Sequence, residues 1–135
     1  MSRDSVILAG RRFNEQLMVD GCTVSAFKLD VDPDTAATIV TMIGDPHYVG
    51  LCRIKSDSSA VSEINPGGQP IAAQNLVWCV PIGTAGDVKV DDAIRITTVD
   101  PVTGDQSRIG NVYRVKGLYD STYVTEHRFP IEVLN

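Results

Sequence analysis

Apolar positions recur along the chain with two different periods, and the period changes at Gly21. Before it, Val6, Ala9, Phe13 and Leu17 fall on one side of a helix, with Gly10 on the same face. Ser2 or Asp4 can cap that helix at its start. Arg11 and Glu15 form an i,i+4 pair on another face, in the less favourable order. Gly21 stands where a helix C-terminus often takes a left-handed residue. The pattern therefore predicts a helix that runs to about Asp20 and stops sharply.

After Gly21 the alternation is that of half-buried strands. Cys22 to Leu29 alternates loosely, and Asp30 to Thr35, containing Asp32-Pro33-Asp34-Thr35, has the composition of a turn. Thr38 to Ile43, rich in β-branched residues, reads as the returning strand. Gly44-Asp45-Pro46 predicts another turn, and Tyr48 to Lys55 a third strand, with Val49, Leu51 and Arg53 on one face and Cys52 and Ile54 on the other. Ser56 to Gly68 has little apolar content and strong turn signals, so a long internal loop is expected there. Ile71 to Ile82 gives a strand with room for a bulge near Gln74, followed by the loop Gly83 to Asp87. Ala93 to Val99 alternates cleanly, with Ile94 and Ile96 on one face and Arg95 and Thr97 on the other. After the turn Asp100 to Gly104, Val112 to Leu118 alternates again. Tyr123 to Leu134 is the last strand, where Pro130 implies an edge or a bulge.

One helix is thus followed by six or seven strands at short spacing, joined by turns rich in Gly, Asp and Pro. The expected fold is mainly β: a small antiparallel β-barrel with one N-terminal α-helix and a long internal loop. Nothing divides the chain, so residues 1–135 are expected to form a single domain, with the helix in 1–20 and the barrel in 21–135.

The 135 residues suit one domain with a core of its own. The formal net charge of -5 argues against a general nucleic-acid binder, because binding is driven by Lys and Arg neutralising phosphates. An acidic wall beside DNA suits a conduit, with passive contact only. The start Met1-Ser2-Arg3-Asp4 leads into a short apolar run and two arginines, unlike a secretory signal. No apolar stretch is long enough to span a membrane. The protein is expected to be made in the cytosol. Cys22, Cys52 and Cys79 show no zinc spacing and read as three small buried hydrophobes in a reducing compartment.

Chemistry is thinly represented. His47 and Cys52 would be a nucleophile-base pair only if a third group oriented them, and packing accounts for them more simply. Asp30, Asp32 and Asp34 alternate as in a calcium loop, but the sixth and twelfth positions counted from Asp30 hold Thr35 and Thr41, where that loop needs Gly and Glu. A turn held by aspartate side chains is the simpler reading. Asp87, Asp91 and Asp92 read as a polar turn, and Gly83-x-x-Gly86 lacks the sequel of a phosphate loop. No catalytic residue, metal or cofactor is expected.

A set of spaced motifs carries a resemblance. Leu17-Met18-Val19-Asp20-Gly21-Cys22-Thr23-Val24 enters the first strand, Asp32-Pro33-Asp34-Thr35 turns, and Tyr48-Val49-Gly50-Leu51-Cys52-Arg53-Ile54 forms a later strand. Val80-Pro81-Ile82 follows, then Val88-Lys89-Val90-Asp91-Asp92-Ala93-Ile94-Arg95-Ile96. Asp100-Pro101 comes next, followed by Ile109-Gly110-Asn111-Val112-Tyr113-Arg114-Val115, and Arg128 precedes the closing strand. In this order the motifs resemble the small head-to-tail stopper, or head-completion, proteins in the necks of siphophages with actinobacterial hosts. Asp91-Asp92 replaces a frequent Gly-Asp of that family, and Val102 to Arg108 stretches one spacing.

The resemblance implies a structural virion subunit rather than an enzyme. It implies a ring of copies, twelve in such stoppers, between the portal and adaptor ring and the tail-terminator or tail-tube protein. That ring helps retain packaged DNA and docks the tail. The expected location is the virion neck, and the host cytoplasm during assembly. The expected loop toward the channel or a neighbouring ring comprises Ser56, Asp57, Ser58, Ser59, Val61, Glu63, Asn65, Gly67 and Gly68. Arg11, Arg12, Glu15, His127 and Arg128 are the expected subunit contacts. Two other readings remain open: a different neck ring subunit (a head-tail adaptor or a tail terminator), and a small ligand-binding β-barrel unrelated to virions.

Overall fold

A computed structural model describes residues 2–57, 62–64, 70–72, 75–118 and 125–134. The described residues form one α-helix, α1 (Arg3–Gln16), a short 3-10 helix at Gln106–Arg108, and eight strands: β1 (Asp20–Val31), β2 (Thr38–Asp57), β3 (Ser62–Ile64), β4 (Pro70–Ala72), β5 (Asn75–Val80), β6 (Ala93–Thr98), β7 (Val112–Val115) and β8 (His127–Val133). Six of them form an antiparallel sheet closed into a ring in the order β1-β2-β5-β8-β7-β6, while β3 and β4 form a separate two-stranded ladder. The mainly β fold with an N-terminal helix, read from the alternation, is the fold observed.

Inward-facing side chains fill the ring. Val24, Ile94, Ile96, Val80, Val115 and Phe129 are fully buried around Trp78. The indole meets Tyr48 edge-on at 5.5 Å and Phe129 at a tilt at 5.1 Å between centroids. Ile94 and Ile96 point inward and Arg95 outward, as the alternation requires. Burying a set of this size supplies most of the stabilisation, at roughly 1.5–3 kcal/mol for each large apolar side chain.

Several boundaries differ from the sequence reading. The helix ends at Gln16, with Leu17 as its cap, and is closed at its start by Ser2, whose Oγ accepts from Ser5 N. Met18 then drops onto Val77 and Cys79, which draws the chain out of the helix before Asp20. Gly21 is therefore no helix cap. It lies inside β1, where a Cβ would run into the Thr98 hydroxyl of the neighbouring β6, so glycine suits the close approach there.

The two strands expected over 38–43 and 48–55 are one strand of 20 residues. Gly44-Asp45-Pro46 makes a bulge within it: Val24 pairs with Tyr48 and Ala26 with Ile43, and Gly44 takes φ +74°. The stretch read as one strand from Ile71 is divided between β4 and β5, and β2 continues through Ser56 and Asp57 where a loop was expected. Gln74, Tyr123 and Val124 lie outside the described residues. Pro130 is not at an edge, since β8 lies between β5 and β7. Its carbonyl accepts from Lys116 N. A strand residue's N–H and C=O point the same way, so its missing donor faces the segment just past the end of β7.

Candidate interaction surfaces

Three features lie outside the ring, and each is built from short-range choices. The first is an arm. Residues 21–24 of β1 pair with both β2 and β6, but residues 26–31 pair with β2 alone, in register with 38–43. Six residues of strand project by about 20 Å at the usual rise per residue. The turn at its end is held as the aspartates suggested. Asp32 Oδ1 accepts from Asp34 N at 2.9 Å, Asp32 O accepts from Ala36 N at 2.8 Å, and Ala36 takes φ 58°.

The arm bends back over the outer side of β6 and β7. Val40 is buried against Ala93 and Val112, with Phe27, Met42 and Leu134 beside them. Arg95 Nη2 donates to Val40 O at 3.2 Å. The bend is pinned at the bulge, where His47 Nδ1 lies 2.6 Å from Asp92 Oδ2 and the same oxygen accepts from Lys89 N at 2.9 Å. His47 is thus engaged with Asp92, whereas Cys52 belongs to the ring interior. The hydrogen bond with Cys52, reinforced by burial, pushes the Cys22 thiol far up. A thiol so shifted stays protonated and is a poor nucleophile.

The second feature is the helix. Ile7, Gly10, Arg11 and Asn14 are its half-buried positions. A Cβ at Gly10 would come within 2.8 Å of Thr125 Cγ2, and Asn14 Nδ2 donates to Thr125 Oγ1 at 2.6 Å. The apolar stripe read from the sequence exists but faces away from the ring. Val6 is 55% exposed, Phe13 61% and Leu17 42%.

The third is a polar cluster on the outer side of β2, β5 and β8. Glu126 is 1% exposed. Its carboxylate accepts from Arg53 through Nε at 3.2 Å and Nη2 at 2.9 Å, from Lys55 Nζ at 2.9 Å and from Arg128 Nε at 2.9 Å. Burial pushes its pKa up, but the hydrogen bonds from Lys55 and Arg53 outweigh that and hold it below the ordinary value. Beneath the cluster, burial together with Glu126 raises the Cys79 thiol to about 11.

The expected subunit contacts are distributed over two of these features. Arg11 is half-buried on the packed side of α1, and Arg12 and Glu15 are exposed on it. His127 is half-buried with its ring 4.4 Å from Phe129, and Arg128 is held by Glu126. Of the expected loop, Ser56 and Asp57 end β2 and Glu63 lies in β3. Ser58, Ser59, Val61, Asn65, Gly67 and Gly68 lie outside the described residues. The sequence reading missed Arg53, Lys55 and Glu126 as one cluster. Its signal was faint: Arg53-x-Lys55 and Glu126-x-Arg128 each place like-facing charges on one side of a strand.

No helix is long and apolar enough to cross a membrane among the described residues. No group of three or more His, Cys, Asp or Glu among them is arranged to hold a metal ion.

Residues 10–132 match a family of unknown function, DUF6093. The chain belongs to that family. The match begins within α1 and ends in β8, so the DUF6093 unit takes in the whole ring and the arm. No match was found among curated proteins or among solved structures.

Proposed function

We propose that this DUF6093 chain is a structural ring subunit of a phage neck, a head-to-tail stopper that sits between the portal and adaptor ring and the tail. The observation that carries the reading is where the apolar surface lies. The ring is packed with its own side chains, while Val6, Phe13 and Leu17 on the helix and Leu29 and Val31 on the arm stand open. Contiguous exposed apolar surface in a small protein marks a place where another protein binds. The work of such a subunit is done by its outer surfaces, which is what a ring of identical copies requires. The net charge of -5 fits a wall that lets DNA pass without holding it. The motif order from Leu17 to Arg128 supports the same role.

The test uses the cognate portal-adaptor complex, with the purified chain added and the product imaged by electron microscopy. An extra ring of density below the adaptor, absent without the chain, is the expected result. No binding to that complex, together with tight binding of a metabolite, would overturn the proposal.

A further inference from the structure

The geometry points to a specific contact between copies: the overhanging face of the arm in one copy docks on the open stripe of α1 in a second copy of this chain. The inference names the partner surfaces of the ring proposed above and rests on that reading for closure.

Consider first the face of the arm. Paired residues of an antiparallel ladder share a face, so Phe27 and Met42, Leu29 and Val40, and Val31 and Thr38 lie together. The part nearest the bend is covered, with Val40 buried on Ala93 and Val112. The same face continues past its cover, and there Leu29 is 53% and Val31 67% exposed. An apolar face half covered by its own chain calls for something to cover the rest.

The helix supplies a matching surface. At about 100° per residue, Val6, Ala9, Phe13 and Leu17 share one side, Arg12 borders it, and both acids, Asp4 and Glu15, lie on the far side. The charges are complementary. Residues 26–43 carry one lysine against three aspartates, and the helix carries three arginines against two acids. Asp34 is exposed at the tip of the arm and Arg12 on the helix. Arm against arm would bring two acidic tips together, whereas arm against helix brings opposite signs together.

Position completes the argument. The arm lies over β6 and β7, and the helix attaches at Thr125 with Met18 on β5. These are different arcs of the ring, so one copy offers both halves of the contact at different places. Such a contact is heterologous and propagates from copy to copy, closing into a ring when the rotation allows.

Two single variants, Val31→Cys and Phe13→Cys, test this at high protein concentration under copper-phenanthroline oxidation. The native cysteines are all buried and do not compete. The mixture is expected to yield a cross-linked pair containing one of each variant, with at least tenfold less product when either variant is oxidised alone. The double variant is expected to give a ladder of oligomers. In the Val31→Cys chain, adding Leu29→Asp is expected to lower the mixed product about tenfold, while Leu29→Met leaves it unchanged. Arg12→Glu in the helix copy is expected to lower it and Asp34→Lys in the arm copy to restore it. Equal homodimers from each variant alone, or no product in the mixture, would overturn the contact. Rings on the portal-adaptor complex without the cross-link would sink the contact and leave the neck reading standing. A ladder from a chain that ignores that complex would do the reverse.

Discussion

The two halves of β1 have much the same alternation in sequence and opposite fates in structure. Residues 20–25 lie between β2 and β6, with 21–24 paired on both sides, and nearly all are buried. Residues 26–31 keep β2 as their one neighbour and become exposed from Lys28 onward. Strand patterning therefore decides that a segment is a strand and which face is apolar. The number of neighbours decides whether that face belongs to the core or to a surface. A strand that outruns its ring turns core-like chemistry into a sticky edge, the kind of surface that proteins either protect or use.

The sharpest break of this comparison is to put a charge in each half. Val24 is fully buried in the ring and touches the cluster around Trp78. A carboxylate there has neither water nor a cation, so Val24→Asp is expected to cost about 3–5 kcal/mol. Urea unfolding followed by Trp78 fluorescence reads this as a large drop in midpoint. A variant that unfolds at the wild-type midpoint would show that this half of β1 is not core.

The same distinction explains what could be read from the sequence. Ile94 against Arg95 and Cys52 against Arg53 follow from period-2 alternation, and the structure agrees on both. The helix stripe was also legible as a stripe, because 3.6-residue spacing is local information. Its direction was not, since that depends on Gly10 and Asn14 meeting Thr125, 111 positions away from Asn14. The bulge at 44–47 looked like a turn because Gly, Asp and Pro serve both purposes. Only the pairing of Tyr48 with Val24 and of Ile43 with Ala26 distinguishes them. Glu126 was missed for the same reason: two of its three cations, Arg53 and Lys55, come from β2, more than 70 positions away.

A smaller effect is expected at Glu126, a place outside the ring where burial and charge combine. Glu126→Gln leaves Arg53, Lys55 and Arg128 facing one another with a weaker acceptor. Because the three cations keep partial access to water, the expected loss is about 1–3 kcal/mol. The wild type should also show a matching pH dependence. The folded pKa lies below the ordinary value of 4.5, so the cluster stabilises fully above that value and fails as pH falls through the lower folded one. Urea midpoints taken from pH 6 to pH 3 should fall in the wild type and fall less in Glu126→Gln. Parallel curves would mean the cluster contributes nothing.

Between the halves stands the pin at the bulge. Asp92→Ala removes the contact with His47 and the acceptor for Lys89 N, and about 1–2 kcal/mol is expected to be lost. The loss should be uneven. Amide exchange in residues 26–43 should speed up by more than tenfold, while Trp78 and its neighbours in the ring change only as far as global stability does. Uniform acceleration would show that the arm and the ring unfold as one unit.

The smallest effect on stability is expected at Leu29, and there the contrast with Val24 is most informative. Leu29 stands on the same strand, five positions further along, and already meets water over 53% of its surface. Leu29→Asp buries no charge and opens no cavity, so the change in unfolding free energy should stay within about 0.5 kcal/mol. If the arm were covered within the single chain, the same substitution would cost several times more. A wild-type unfolding curve combined with weaker self-association in sedimentation velocity would separate the two uses of one alternating pattern. That outcome would assign the ring half to holding the fold together and the arm half to meeting another copy.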